Sequence, residues 1–115
     1  MITEKTVAKA LCKIGMPCSL GGYEYAKKAV MFILSDEHKY RQITKVLYPS
    51  IAKEVGTTPE RVERCIRHAV ERAFDYGSAR ELEEIFGNCY SAQKGKPTNS
   101  EFLFTLAEYL KCKEG

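Results

Sequence analysis

The sequence predicts an all-α, compact domain of six or seven helices that contains a helix-turn-helix. Apolar residues recur at spacings of three and four along most of the chain, and no stretch alternates as a half-buried strand would. Glycine, proline and capping residues separate these periodic segments. With 115 residues and 44% hydrophobic residues, the chain has enough apolar surface for one core, so we expect 1–115 to form a single domain.

The first part of the chain predicts two helices and a lead-in to the motif. Thr3 can cap a first helix that ends at about Gly15. Proline and paired glycines predict a loop over 16–22, and apolar periodicity predicts a second helix over about 23–34. After a turn or a further cap, the apolar residues of 40–48 suggest a short helix that Pro49 breaks or restarts.

The stretch 49–76 predicts the helix-turn-helix itself, as a short helix, a tight turn and a long helix over 59–76. Gly56 suits the left-handed position after a helix end, and the Thr58 hydroxyl can cap the next helix. Pro59 suits the first helical position because it has no N–H to leave unpaired. In this arrangement the second helix can enter the DNA major groove.

The second motif helix has an apolar face and a charged face. The apolar stripe, which should pack on the core, consists of Val62, Cys65, Ile66, Ala69, Val70 and Ala73. The opposite side carries Glu60, Glu63, Arg64, Arg67 and Glu71, flanked by Arg61 and His68. We therefore expect this helix to dock by the first face and to display the second.

The displayed face has the residue types that base edges require. Arginine can donate two parallel hydrogen bonds to guanine, and glutamate can accept one from the cytosine amino group. Arg61, Arg64 and Arg67 lie three residues apart in the part of the helix that usually meets the bases. An equally supported alternative is a solvated face with intrahelical pairs. Those pairs would be Glu60 with Arg64, Glu63 with Arg67, and Glu71 with Arg67.

The last part of the chain predicts two more helices. Ser78 can cap a short helix over 79–86. The stretch 88–97 has no sustained period and predicts a loop. Thr98 and Glu101 have the spacing of a capping box, which opens a final helix to about residue 113.

The composition argues against a metal site, a cofactor and catalysis. The five cysteines are odd in number and include no C-x-x-C pair, so we expect reduced thiols. Cys65 and His68 have C-x-x-H spacing, but a second ligand pair is missing and the two side chains point apart. The sequence has no phosphate loop and no catalytic signature, so we expect neither a bound cofactor nor an enzyme.

Charge and hydropathy point to a cytoplasmic protein with local basic clusters. No run approaches the roughly 18 apolar residues that a membrane helix needs, and the N-terminus lacks the apolar segment of a signal peptide. The net charge of +3 is mild for a nucleic-acid-binding protein, so clustering matters more than the total. We expect Lys45, Lys53 and Thr57 to contact DNA phosphates.

Several long motifs resemble one family. The stretches ITKVLYPSIAKEVGTT at 43–58 and RVERCIRHA at 61–69 closely resemble the C-terminal effector domain of stage-zero sporulation protein A, the response regulator of endospore formation. The resemblance extends to IGMP at 14–17, GYEY at 22–25 and KPTNSEF at 96–102, and so covers nearly the whole chain.

The resemblance implies binding of double-stranded DNA at promoter boxes of the TGTCGAA type, often by tandem copies, and contact with RNA polymerase sigma subunits. The implied base-contact residues are Arg61, Glu63, Arg64 and Arg67. The residues expected at the DNA backbone are Lys45, Lys53, Thr57, Thr58, His68, Lys94 and Lys96. A partly buried packing role for His68, and a solvated loop for the last two lysines, are equal alternatives.

The chain departs from the family pattern in two respects. The family's regulators carry an upstream receiver domain with a phosphorylated aspartate, and nothing here resembles it, which fits either an excised domain or a free-standing paralogue. Phe74 stands where related chains often carry tryptophan.

The leading hypothesis for the function of this chain is a sequence-specific transcription regulator. Because of the mild charge and the missing receiver, the alternative is a helical module that binds polymerase or a full-length regulator, with weak or no DNA binding.

Overall fold

The computed structural model describes residues 1–87 and 95–114. Within these ranges the chain forms seven α-helices and one π-helical turn, which confirms the all-α prediction. The elements are α1 (Glu4–Lys13), α2 (Gly21–Ser35), α3 (Glu37–Tyr40), the π turn (Ile43–Leu47), α4 (Tyr48–Val55), α5 (Pro59–Tyr76), α6 (Ala79–Phe86) and α7 (Asn99–Glu114). None of the helices described is long and apolar enough to cross a membrane.

Side-chain caps fix where four of the helices begin, as the sequence predicts. Thr3, Thr58 and Ser78 each accept the backbone N–H of the third residue of the helix that follows. At the start of α7, Thr98 Oγ accepts the Glu101 N–H at 3.1 Å, and the Glu101 carboxylate accepts the Thr98 N–H at 2.9 Å. These bonds satisfy N–H groups that have no partner within the helix.

Two predicted boundaries are wrong. Residues 40–48 do not form a separate helix ended by Pro49, because the π turn runs directly into α4. Proline fits there since it is the second residue of α4, where its missing N–H breaks no bond within that helix. The paired glycines predicted as loop are instead the first residues of α2, and the predicted start at Tyr23 is two residues late.

The core brings together buried residues from every helix. The α2 helix packs against α1, α5 and α7, while α5 also packs against α4. Three phenylalanines join α5, α6 and α7: the Phe86 and Phe102 rings stack at 4.9 Å between centroids, and Phe74 meets Phe86 edge-on at 5.5 Å. Phe74 therefore occupies an apolar site lined by aromatic rings.

The α2 and α5 helices approach each other closely at Gly22. A Cβ atom added to Gly22 would lie 2.0 Å from the Cys65 carbonyl oxygen and 2.7 Å from the Ala69 Cβ. The nearest of these is a backbone atom that cannot rotate away. Gly22 thus permits backbone contact between the two helices, which any side chain would separate.

We predict that Gly22→Ala lowers the free energy of unfolding by about 2 kcal/mol or more, because α2 must move away from α5 to admit the methyl group. Gly21→Ala is the matched control, since a Cβ added there meets nothing within 4 Å. Alanine should stabilise that exposed helical position by up to about 1 kcal/mol. Urea denaturation of both variants measures the difference, and equal stabilities would contradict the contact.

Candidate nucleic-acid interface

The turn between α4 and α5 has the geometry that its sequence predicts. Gly56 adopts a left-handed conformation with φ of 76°, and its N–H and that of Thr57 both donate to the Ala52 carbonyl at 2.9 Å. The Thr58 hydroxyl then accepts the Arg61 N–H at 3.2 Å and starts α5. The turn therefore fixes where α5 begins relative to α4, in a helix-turn-helix arrangement.

One side of α5 is seated on the core and the other is exposed, as predicted. Its buried residues are Val62, Ile66, Ala69, Val70, Ala73 and Phe74. Cys65, at the edge of this stripe, is half-buried beside Gly22. The opposite face remains open to solvent over the whole N-terminal half of the helix.

The three arginines of the displayed face are all exposed. Within the described parts of the chain, Arg61 and Arg64 form no ion pair, so the predicted Glu60–Arg64 pair is absent. Arg67 Nε donates to Glu63 Oε2 at 3.1 Å, one turn away. Of the intrahelical ion pairs considered as an alternative, the described structure of α5 therefore contains only the one between Glu63 and Arg67.

The Glu63–Arg67 pair orients the arginine along the helix surface. The hydrogen bond that Arg67 donates to Glu63 is the main cause that raises the pKa of the Arg67 guanidinium, followed by the attraction of the Glu63 charge. About half of the Arg67 side chain is accessible, at 52%, so the pair does not hide it. Because Nε is the donor to Glu63, both terminal nitrogens remain available to a ligand.

A buried asparagine ties three elements together behind this face. Asn99 Nδ2 donates to the Tyr48 hydroxyl at 3.0 Å and to the Glu63 carbonyl at 3.1 Å. Burial raises the pKa of the Tyr48 phenol. The first residue of α7 thus holds both α4 and the N-terminal part of α5. Sequence reasoning assigned Asn99 only to a capping box, because a partner 36 residues away leaves no local pattern.

The residues predicted at the DNA backbone fall in different places. Lys45 lies exposed on the π turn and Lys53 exposed in the last turn of α4. Thr57 is half-buried in the turn, and the Thr58 hydroxyl is already used as the cap of α5. Lys94 lies outside the described residues.

Two clefts border α5, and their linings include most of the remaining candidate DNA-contact residues. One, of about 470 Å³, includes Glu63, Arg67 and Lys96 in its lining. The other, of about 330 Å³, includes Arg64, Arg67 and His68. His68 is exposed, which does not fit the alternative of a partly buried packing histidine, and its contact with the DNA backbone stays a prediction.

Lys96 forms an ion pair with α5 that the sequence did not predict. Its Nζ lies 2.6 Å from the Asp75 carboxylate of α5, with both side chains partly accessible. This pair places one basic residue of the 95–98 segment beside α5. Over the described part of the chain, no three His, Cys, Asp or Glu side chains are grouped as a metal site requires.

Comparison with known protein families identifies a match over nearly the whole chain. The model of the family described as "Sporulation initiation factor Spo0A C terminal" matches residues 7–110. The match extends from α1 to α7 and includes the helix-turn-helix and both clefts. It confirms the resemblance expected from the sequence motifs.

We predict that Asn99→Ala lowers the free energy of unfolding by about 1–3 kcal/mol, because a buried hydroxyl and a buried carbonyl lose their donor. Ser100→Ala, at the next and exposed position of α7, should change stability by less than about 0.5 kcal/mol. Thermal denaturation followed by circular dichroism compares the two. Similar midpoints for both variants would show that the buried bonds contribute little.

Proposed function

This chain belongs to the family of the Spo0A C-terminal domain, a family of DNA-binding effector domains of sporulation regulators, and we propose that it reads short promoter boxes through α5. The family is one of regulatory domains and not of enzymes. The observation that carries the proposal is that α5 buries its apolar stripe while Arg61, Arg64 and Arg67 stay exposed on the opposite side. A recognition helix in the major groove needs this division.

The chemistry of the displayed face suggests which groups read which bases. Arg64 has no acidic partner in the described structure and can donate two bonds to guanine O6 and N7. Arg67 can do the same with its terminal nitrogens while Nε stays on Glu63. The second carboxylate oxygen of Glu63 is then available to a cytosine amino group. Arg61, near the start of α5, reaches bases at the edge of the box.

Positioning on the duplex would come from groups around α5. Lys45, Lys53 and Thr57 lie on the preceding elements, where they can contact phosphates on one side of the groove. His68, which belongs to α5, and Lys96, which lies beside that helix, would contact the DNA backbone near Arg64 and Arg67. Thr58 would contribute to DNA positioning through its backbone and by capping α5. The contact of Lys94 with the DNA backbone stays a prediction. Such contacts fix register without selecting sequence.

Family membership also motivates proposals about assembly. Two copies would bind duplicated boxes side by side, and the DNA-bound domain would contact an RNA polymerase sigma subunit in the cytoplasm. Gel shifts on duplexes with one or two boxes test the first proposal, since pairing requires a second, slower complex. Addition of purified sigma subunit tests the second, which fails if the DNA complex does not shift further.

We predict that Arg67→Ala weakens binding to the correct box by about 1–3 kcal/mol and relaxes base preference, because one bidentate base contact is lost. Lys53→Ala should weaken correct and scrambled duplexes alike, since a phosphate contact carries no sequence information. Fluorescence anisotropy with both duplexes measures the four affinities. Equal losses on both duplexes for Arg67→Ala would argue against base reading.

Salt dependence separates DNA recognition from the alternative of a protein-binding module. Binding to phosphates releases counterions, so affinity for a tandem-box duplex should fall steeply between about 50 and 200 mM salt. A module that binds only proteins would give no saturable shift at either concentration. Gel-shift titration of the unmodified chain provides the comparison, and absence of a shift at low salt would favour the module.

A further inference from the structure

A second candidate binding surface lies away from the recognition helix, between α1 and the C-terminal half of α7. The groove has a volume of about 820 Å³. Its apolar lining includes Ala8 of α1, Ile85 of α6, and Tyr109 and Leu110 of α7. None of its lining residues belongs to the two clefts that border α5. DNA recognition as proposed above therefore leaves this groove unused.

The rim of the groove is basic. Lys5, Lys9 and Lys13 repeat every four residues along α1, and Lys113 lies on α7; all four are exposed. In the described parts of the chain, Lys5 and Lys9 have no acidic partner. Lys13 makes only a 3.5 Å ion pair with Glu81.

The one carboxylate that lines the groove does not balance these lysines. Glu114 is a single acidic group against four lysines in this lining. Lys113 lies 5.5 Å from the centre of the Tyr109 ring, so its charge sits directly above an apolar part of the lining. The groove thus combines an apolar floor with a surplus of positive charge at its edge.

This combination fits an acidic amphipathic helix better than a nucleic-acid backbone. Phosphates could contact the lysines but would leave the apolar floor uncovered. A helix with an apolar stripe covers that floor, and carboxylates placed every four residues advance by about 6 Å, which is the spacing of the lysines on α1. The ten residues of α1 are about 15 Å long, which corresponds to two or three turns of a partner helix.

We propose that the groove between α1 and α7 binds an acidic amphipathic helix of a partner protein. The apolar side of that helix would lie against Tyr109 and Leu110, and its carboxylates would face Lys5, Lys9 and Lys113. The groove would give this DNA-binding domain a protein contact that leaves α5 free for DNA.

The test uses a synthetic helical peptide of about 14 residues, a length of roughly 20 Å, with leucines along one stripe and glutamate at every fourth position beside it. Fluorescence anisotropy of the labelled peptide measures binding to the full chain. Lys9→Glu should weaken binding by about tenfold or more, because it places a like charge in the middle of the rim. Lys39→Glu, an identical charge change at an exposed lysine of α3 outside the groove, should weaken it by less than about twofold.

Several results would overturn the proposal. One is the absence of saturable peptide binding, and another is equal binding of a peptide with glutamine in place of glutamate. Equal losses for Lys9→Glu and Lys39→Glu would show general charge attraction only. Displacement of the peptide by duplex DNA, with Lys9→Glu also weakening DNA binding, would make the groove a nucleic-acid surface. Gel shifts on the same variants report DNA binding separately, so failure of the two proposals is distinguishable.

Discussion

The contact between the backbones of α2 and α5 at Gly22 determines which face of α5 is exposed. Because a Cβ at this position would lie 2.0 Å from the Cys65 carbonyl oxygen, the two helices approach as closely as they do only with glycine. The approach sets the rotation of α5 about its axis. With Ala69 and Ile66 directed inward, the arginines that lie about half a turn away must point outward. Packing in the core therefore decides which residues of α5 are open to solvent.

A second contact, from the start of α7, also holds α5 in place. Asn99 bonds to the backbone of α5 and to Tyr48 of α4, so the start of α7 holds both helices of the motif. Its bond to α5 is made at the carbonyl of Glu63, the same residue whose side chain orients Arg67. The geometry of the candidate base-reading pair thus depends on a buried polar group far away in the chain. Such a group is stable only when its hydrogen bonds are satisfied, as they are here.

Local signals predict much of this fold, and contacts between distant residues explain what they miss. The caps at Thr58 and Ser78 and the apolar stripe on α5 are short-range features. The predicted bounds of α5 and α6 are therefore confirmed. From the sequence, Gly22 is predicted to lie in a loop. Its actual role is to allow close contact with Cys65 of α5, more than 40 residues away, and no local pattern shows such a contact. The Lys96–Asp75 pair and the groove beside α1 arise in the same way. Each requires the relative placement of helices, which periodicity does not contain.

The central claim is that the exposed arginines of α5 contact guanine edges in the major groove. A double-mutant cycle across the interface tests it, with 7-deazaguanine replacing single guanines of the box and alanine replacing Arg64 or Arg67. Direct contact predicts a coupling energy of about 1–3 kcal/mol at one guanine for each arginine, because the base change removes the N7 acceptor that the side chain uses. Coupling near zero at every guanine, with wild-type and variant domains losing the same affinity, would contradict major-groove reading by α5.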